Sequence, residues 1–135
     1  MINEKVLKER YILITHVLLS LRLKARYKGF FYLREILILM LDGQGVEQVG
    51  SICNIKEIVP KALYIDVSKK LSVSIDNIEK SIRVAINRMW EDVEPGLEID
   101  VFGKKFVFPK KKPTNTQFLC SSYNLLRELL EFPQN

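Results

Sequence analysis

KALYIDVSKKLSVSIDNIEKSIRVAINRMWE, residues 61–91, contains two runs of apolar residues at helical spacing, joined by three residues. The first run predicts a helix over about 61–71, and the second predicts a helix over about 75–91. Ser74 is a suitable N-cap for the second helix, and Asp76 lies in its first turn, where the helix dipole favours negative charge. Two helices joined by so short a connection, the second one amphipathic, have the layout of a helix-turn-helix.

The packing demands of that motif are met by the residues around the turn. Ser68 supplies the small residue that is needed where the two helices touch, and Ser72 occupies the turn position that usually holds glycine. The inner faces are apolar, at Val67, Leu71, Val73 and Ile78. Many helical hairpins share this pattern, so an ordinary hairpin is the alternative.

The outer face of the second helix carries residues that can read DNA bases. If this helix enters the major groove, Arg83 and Lys80 can donate to guanine O6 and N7, and Glu79 can accept from the cytosine amino group. The alternative is a solvated face on which Glu79 and Arg83 pair at i, i+4, an interaction worth roughly 0.2–0.5 kcal/mol.

The remaining elements are also mostly helical. Residues 4–24 and 31–41 predict two further helices, with a break in the chain at Gly29. The helix over 31–41 is apolar on nearly every side, which is typical of a helix in the core. The fold class is therefore all-α, in a single domain spanning residues 1–135.

The C-terminal third adds one short element and one long helix. Residues 97–108 alternate apolar and polar side chains, so a short β-hairpin around Gly103 and Lys104 or a short helix would fit. Thr114 is predicted to cap a last helix that ends near Phe132. Its core positions are Phe118, Leu119, Leu125, Leu126, Leu129 and Leu130.

The charge balance favours an anionic partner. The 135 residues include 21 Lys and Arg against 16 Asp and Glu, a net charge of +5. Part of this surplus is a lysine cluster at Lys104, Lys105, Lys110, Lys111 and Lys112. A cluster of this kind is often only a solvated loop.

Other function classes find little support in the residues. One His and two Cys exclude most zinc sites, and no nucleophile with a neighbouring base predicts an enzyme. His16 is predicted to be a packed, hydrogen-bonded core residue, and Cys53 and Cys120 to be reduced and buried. No stretch reaches the ~18 apolar residues of a membrane span, so a cytoplasmic protein is expected. We also expect no cofactor, no metal and no small-molecule substrate.

Three blocks of the chain resemble the C-terminal DNA-binding (effector) domain of the stage zero sporulation response regulator family. The most specific pieces, in family order, are ITH at 14–16, KG and YLRE within 28–35, LY-x-D-x-x-KK at 63–70, IEKSIR-x-AI at 78–86 and KPTN at 112–115. The resemblance implies a bundle of six helices whose helix-turn-helix is the pair described above. It also implies a transcription regulator that binds double-stranded DNA, alone or as a homodimer or tandem pair on neighbouring boxes.

The resemblance assigns roles to individual residues. Glu79, Lys80 and Arg83 fall where the family uses Glu, Arg and Arg, and Val84 falls where it often has His. Lysine at 80 lacks the bidentate fork of arginine, and Val84 suits a thymine methyl group. Phosphate contacts are expected from the lysine cluster and from Thr114, at the N-terminus of the last helix: Lys104, Lys105, Lys110, Lys111, Lys112 and Thr114.

The chain differs from the family at the N-terminal end. The family protein has an N-terminal phospho-acceptor receiver domain, whereas Met1 lies only about ten residues before the resemblance begins. We therefore expect a stand-alone effector domain that is not regulated by phosphorylation in the family manner. The alternative is a non-enzymatic interaction protein that pairs with or antagonises a full-length regulator without reading DNA.

Overall fold

The structure, a computed structural model, describes residues 3–42 and 61–131. These residues form a helical bundle with one hairpin, in the order α1 (Glu4–Ser20), α2 (Lys28–Leu41), α3 (Lys61–Leu71), α4 (Ile75–Trp90), β1 (Glu98–Val101), β2 (Lys104–Val107) and α5 (Asn115–Glu131). The all-α prediction with a short hairpin is confirmed. Within the described ranges there are five helices, and the sixth that the resemblance implies is not among them. Cys53 lies outside the described residues, and Cys120 is buried in α5.

Local capping sets both ends of α1. The Asn3 side chain accepts a hydrogen bond from the Val6 amide at 2.9 Å, which satisfies one of the free donors of the first turn. At the other end Arg22 takes a φ of 74°, and the Leu23 amide bonds back to the Leu18 carbonyl at 3.1 Å. This is a Schellman motif, and it turns the chain towards α2.

Gly29 does not break the chain, contrary to the sequence prediction. It is the second residue of α2, and the interruption between α1 and α2 lies at residues 21–27. Gly29 is buried against α4: a Cβ placed on it would lie 2.2 Å from the Ser81 carbonyl oxygen and 2.8 Å from the Ala85 Cβ. The absence of a side chain therefore allows α2 and α4 to pack backbone against backbone.

Helix α2 is the centre of the bundle, because it packs against α1, α3, α4 and α5. Its own residues are buried on almost every side, as the sequence predicted, including the carboxylate of Glu35. Glu35 accepts hydrogen bonds from Lys70 Nζ at 2.8 Å and from the Tyr11 hydroxyl at 3.1 Å. These bonds satisfy a buried charge and tie α1, α2 and the end of α3 together.

The region after α4 is a hairpin, which decides between the two sequence alternatives. β1 and β2 pair antiparallel, with Val101 opposite Lys104. The two turn residues, Phe102 and Gly103, have φ values of 50° and 85°, as a type I′ turn requires. Strand β2 lies against α5, so the hairpin covers one side of the bundle.

Two predicted core positions lie at the surface. His16 is exposed, and its ring meets Phe102 at the hairpin tip edge to face, with 6.3 Å between centroids. Leu130 is exposed in the last turn of α5. The His16 prediction is wrong because His16 lies on the outward side of α1, facing the hairpin tip, a neighbour that helical periodicity alone cannot reveal.

None of the helices in residues 3–42 and 61–131 combines the length and the apolar character that crossing a bilayer demands.

Candidate nucleic-acid interface

Helices α3 and α4 form a helix–turn–helix unit whose turn is held by Ser68. The Ser68 hydroxyl donates to the Val73 carbonyl oxygen at 2.5 Å, and the Val73 amide donates to the Ser68 carbonyl at 3.1 Å. Between them Ser72 takes a φ of 55°, the left-handed conformation that favours glycine. The turn is therefore the type that the motif requires, built with serine where glycine is usual.

Helix α4 begins cleanly and buries a single stripe. The Ser74 hydroxyl accepts a hydrogen bond from the Asn77 amide at 3.1 Å, and Asp76 occupies the first turn. The buried stripe comprises Ile78, Ile82, Ala85, Ile86 and Met89, as the sequence predicted. Since this stripe faces the bundle, the opposite side of the helix faces solvent.

The predicted base-reading residues share this outward side to different degrees. Lys80 and Val84 lie at its centre, with 67% of the Lys80 side chain and 46% of Val84 exposed. Arg83 is exposed, and Glu79 is half-buried at the edge towards α5. In the described part of the chain the ion pair on this face joins Lys80 to Asp76 at 3.1 Å, rather than Glu79 to Arg83.

A groove runs along one side of α4, where the start of α5 approaches it. Asn115 Nδ2 donates to the Glu79 carbonyl oxygen at 3.0 Å, which ties the first turn of α5 to the middle of α4. The groove has a volume of 480 Å³, and Arg83 lines it from one side while Lys112 and Thr114 line it from the other. With Glu79, which also lines the groove, four of the predicted site residues thus meet in one place.

The first turn of α5 is fixed by a reciprocal capping box. The Thr114 hydroxyl accepts from the Gln117 amide at 3.1 Å, and the Gln117 side chain accepts from the Thr114 amide at 3.0 Å. The capping role predicted for Thr114 is therefore confirmed. The box holds Lys112 and Thr114, both exposed, beside α4 in a defined conformation.

The hairpin lysines lie elsewhere. Lys104 and Lys105 belong to β2, and Lys105 Nζ is 3.6 Å from a carboxylate oxygen of Glu98. Their hairpin meets α1 through the contact between Phe102 and His16. Of the five lysines that are close in sequence, two thus lie on the hairpin and Lys112 lies at the α4 groove.

The remaining two lysines extend from the groove towards the hairpin. Lys110 and Lys111 are exposed in the loop that leads to α5. Lys111 lines a second hollow, on the side of α5 that faces β2, together with Phe106 and Gln117. Of the lysine cluster, therefore, Lys112 stands nearest the outward side of α4.

The groove also contains polar residues that are not among the predicted site residues, including Lys61, Tyr64, Asn87 and Asn115. Asn87 lies one turn after Arg83, on the side of the helix that helical spacing assigns to both, and its Oδ1 atom is buried with no hydrogen-bond partner in the described residues. Burial, and to a smaller degree the Glu79 carboxylate, raise the pKa of Tyr64 to about 12, so its hydroxyl stays neutral.

Comparison with known proteins agrees with this geometry. The sequence matches the family described as "Sporulation initiation factor Spo0A C terminal" over residues 14–126. The chain belongs to this family. The Spo0A C-terminal family is a DNA-binding effector domain, and it is a regulatory rather than an enzyme family. The chain is therefore a DNA-binding regulatory domain, which supports double-stranded DNA as its partner.

The match spans every element that builds the groove. It begins in the middle of α1 and ends in the second half of α5, so it includes α3, α4, the hairpin and the loop with Lys112. Within residues 3–42 and 61–131, no group of three or more His, Cys, Asp or Glu side chains is arranged to hold a metal ion.

Proposed function

We propose that this Spo0A C-terminal domain is a sequence-specific regulator that inserts α4 into the major groove of double-stranded DNA. The observation that supports this most directly is the outward side of α4, where Lys80, Arg83 and Val84 are exposed beside Lys112. An α-helix with its side chains is about 10–12 Å across, which matches a major groove about 12 Å wide.

Each reading residue has a chemical role in this proposal. Arg83 donates its two-pronged guanidinium to guanine O6 and N7, and Val84 packs on a thymine methyl group. Lys80 donates to guanine after leaving Asp76, an exposed ion pair of a kind that contributes little to stability. Glu79 accepts from a cytosine amino group at the edge of the groove.

The phosphate contacts are proposed to fall into two groups. Lys110, Lys111, Lys112 and Thr114 hold the backbone next to the box that α4 reads, since their segment runs beside α4. Lys104 and Lys105, on the hairpin, reach phosphates further along the duplex. These contacts set the affinity and its dependence on salt, not the choice of sequence.

Selection of bound sites from random DNA, read by sequencing, tests the proposal and yields the box. Arg83→Ala is then expected to lose about 1–3 kcal/mol on that box, roughly five- to 150-fold in Kd, with little change on random DNA. Equal losses on both DNAs would refute base reading by Arg83.

Arg127→Ala is the matched control for that measurement. Arg127 lies in the second half of α5 and pairs with Glu131 at 2.6 Å, so removing it takes away one positive charge without touching the groove. The control should bind the selected box as the wild type does.

If selection enriches no sequence at moderate salt, the competing hypothesis of an interaction protein that does not read DNA is favoured. A box duplicated in tandem reports whether two copies bind side by side.

A further inference from the structure

A second set of positive charges lies on the far side of α4 from the groove. From the end of α1 to the first residue of α2, a cation occurs at every second position: Arg22, Lys24, Arg26 and Lys28. No Asp or Glu occurs anywhere from Arg10 to Arg34. So long a stretch without a carboxylate creates a positive surface that the chain does not neutralise locally.

The packing of α2 brings this stretch against α4. Gly29 contacts Ser81 and Ala85, so the first turn of α2 crosses the middle of α4. Arg26 and Lys28 line a hollow together with Val73, the middle residue of the turn before α4. These two cations therefore lie beside the turn that leads into the proposed reading helix.

Helical geometry separates the two flanks of α4. At about 100° per residue, Glu79 and Arg83 project on the side of the groove, and Ser81 projects on the side of α2. Lys80 and Val84 project between these flanks. The exposed ridge of α4 thus has Lys112 and Thr114 on one side and Arg26 and Lys28 on the other.

The cations on the α2 side differ in their partners. Lys24 Nζ is 2.7 Å from Asp92, and Arg88 pairs with Glu91 at 3.5 Å. Within the described residues, neither Arg26 nor Lys28 forms a close ion pair with a carboxylate, although Asp92, the partner of Lys24, also feels the charge of Arg26. Arg26 instead lies over the Tyr27 ring, 5.1 Å from its centroid, and donates to the Tyr27 hydroxyl at 3.3 Å.

The electrostatics of Tyr27 report the same concentration of charge. The hydrogen bond from Arg26 lowers the pKa of Tyr27, and the positive charges of Arg26, Arg88 and Lys24 lower it further. A half-buried phenol surrounded by cations in this way marks a surface that attracts anions.

We propose that Arg26 and Lys28 bind phosphates of one DNA strand while Lys112 and Thr114 bind phosphates of the other strand. This inference rests on the proposed function, because it requires α4 to lie in the major groove. A helix in that groove has a sugar–phosphate backbone on each side, about as far apart as the helix is wide. The two cationic flanks of α4 meet those two backbones.

Ethylation interference on the selected box is the decisive experiment. Ethylation removes the charge of one phosphate at a time, so it maps which phosphates the bound protein needs. Across the major groove that α4 enters, the wild type should show two groups of essential phosphates, one on each strand, in addition to the phosphates that Lys104 and Lys105 reach further along the duplex. The double variant Arg26→Ala/Lys28→Ala should lose one group only, and Lys112→Ala should lose the other.

Affinity measured against salt supplies a second readout. The double variant should bind the box and random DNA roughly ten-fold or more weakly at moderate salt. The slope of log Kd against log salt should fall by about 2, since each phosphate contact contributes about 0.9. Lys5→Ala/Lys8→Ala is the matched control, because it removes two exposed cations from the start of α1 and should leave both quantities nearly unchanged.

Charge rather than shape is tested by exchanging the two cations. Arg26→Lys/Lys28→Arg should keep the wild-type salt slope and both groups of phosphates, and thermal melting should show that every variant is folded. If the wild type binds its box specifically but the double variant keeps both groups, the inference is overturned and the proposed function stands. If the wild type shows no specific complex, the proposed function itself fails, and the inference with it.

Discussion

Substituting Gly29 by alanine is predicted to push the proposed reading helix off the core. A Cβ at this position would lie 2.2 Å from the Ser81 carbonyl oxygen and 2.7 Å from the Ser81 carbonyl carbon, whereas real Cβ contacts below 3.0 Å essentially never occur. Both atoms belong to the backbone of α4, so no rotamer change relieves the overlap. The helices α2 and α4 must instead separate by roughly 1 Å, in a close-packed interior.

The expected cost follows from two opposing effects. Overpacking of a core costs about 1–3 kcal/mol, and the upper end applies here because backbone atoms are involved. Alanine is a better helix former than glycine by about 1 kcal/mol, which offsets part of that. We expect a net loss of about 2 kcal/mol in the free energy of unfolding, measured by urea denaturation, and a Tm lower by roughly 6–10 °C.

Two variants separate this explanation from a general loss of stability. Gly96→Ala introduces backbone strain at a φ of 80° but meets no atom within 4 Å, so it should destabilise the protein and leave DNA binding by the folded form unchanged. Adding Ala85→Gly to Gly29→Ala should not restore stability, because the clash with the Ser81 backbone remains. A Gly29→Ala protein as stable as the wild type would refute the close packing of α2 on α4.

Two further predictions concern the turn and the groove. Ser72→Gly should raise the free energy of unfolding, measured by urea denaturation, by about 0.5–1 kcal/mol. The substitution removes left-handed strain of about 1–2 kcal/mol from the folded state, and the greater entropy of glycine in the unfolded chain offsets about 0.5–1 kcal/mol of that gain. A loss of stability would contradict a left-handed conformation at Ser72. The pKa of the Tyr64 hydroxyl rises from 10.0 to about 12 on folding, so at alkaline pH the unfolded chain loses this proton before the folded protein does. The contribution of neutral Tyr64 to the free energy of unfolding is therefore fully present below pH 10 and is lost as the pH rises towards 12. That loss should amount to about 2–3 kcal/mol and should disappear in Tyr64→Phe, as measured by denaturation at a series of pH values; the same alkaline decline in wild type and variant would exclude Tyr64 as its cause.

The helices themselves could be predicted with little error. Helix α4 ends at Trp90 rather than about Glu91, and both Ser74 and Thr114 cap helices as their sequence contexts indicated. Caps and apolar spacing act within one or two turns, so the information they need is present in neighbouring residues. For residues 97–108 the sequence fits both a hairpin and a short helix, because four-residue strands show too few alternations of apolar and polar residues to distinguish the two.

The errors concern residues whose surroundings come from distant parts of the chain. His16 was placed in the core on the evidence of its apolar neighbours, yet its contact is Phe102, more than eighty residues away. Gly29 was interpreted as a helix breaker, although its role is to admit the backbone of α4. In a sequence, a glycine between two helical patterns is usually interpreted as a turn residue. That it allows two helices to approach closely becomes visible when the neighbouring helix is known.

Helical periodicity is enough to show which side of the helix over residues 75–90 is apolar and which residues face solvent. A period of 3.6 residues is a local property, so Lys80, Arg83 and Val84 could be assigned to one surface without coordinates. The neighbours of that surface, in contrast, depend on the tertiary fold. Lys112 and Arg26 lie on opposite flanks of α4, whereas Lys104 and Lys105 lie on the hairpin. The position of a distant segment depends on how the helices dock, and the spacing of residues within a helix carries no information about it.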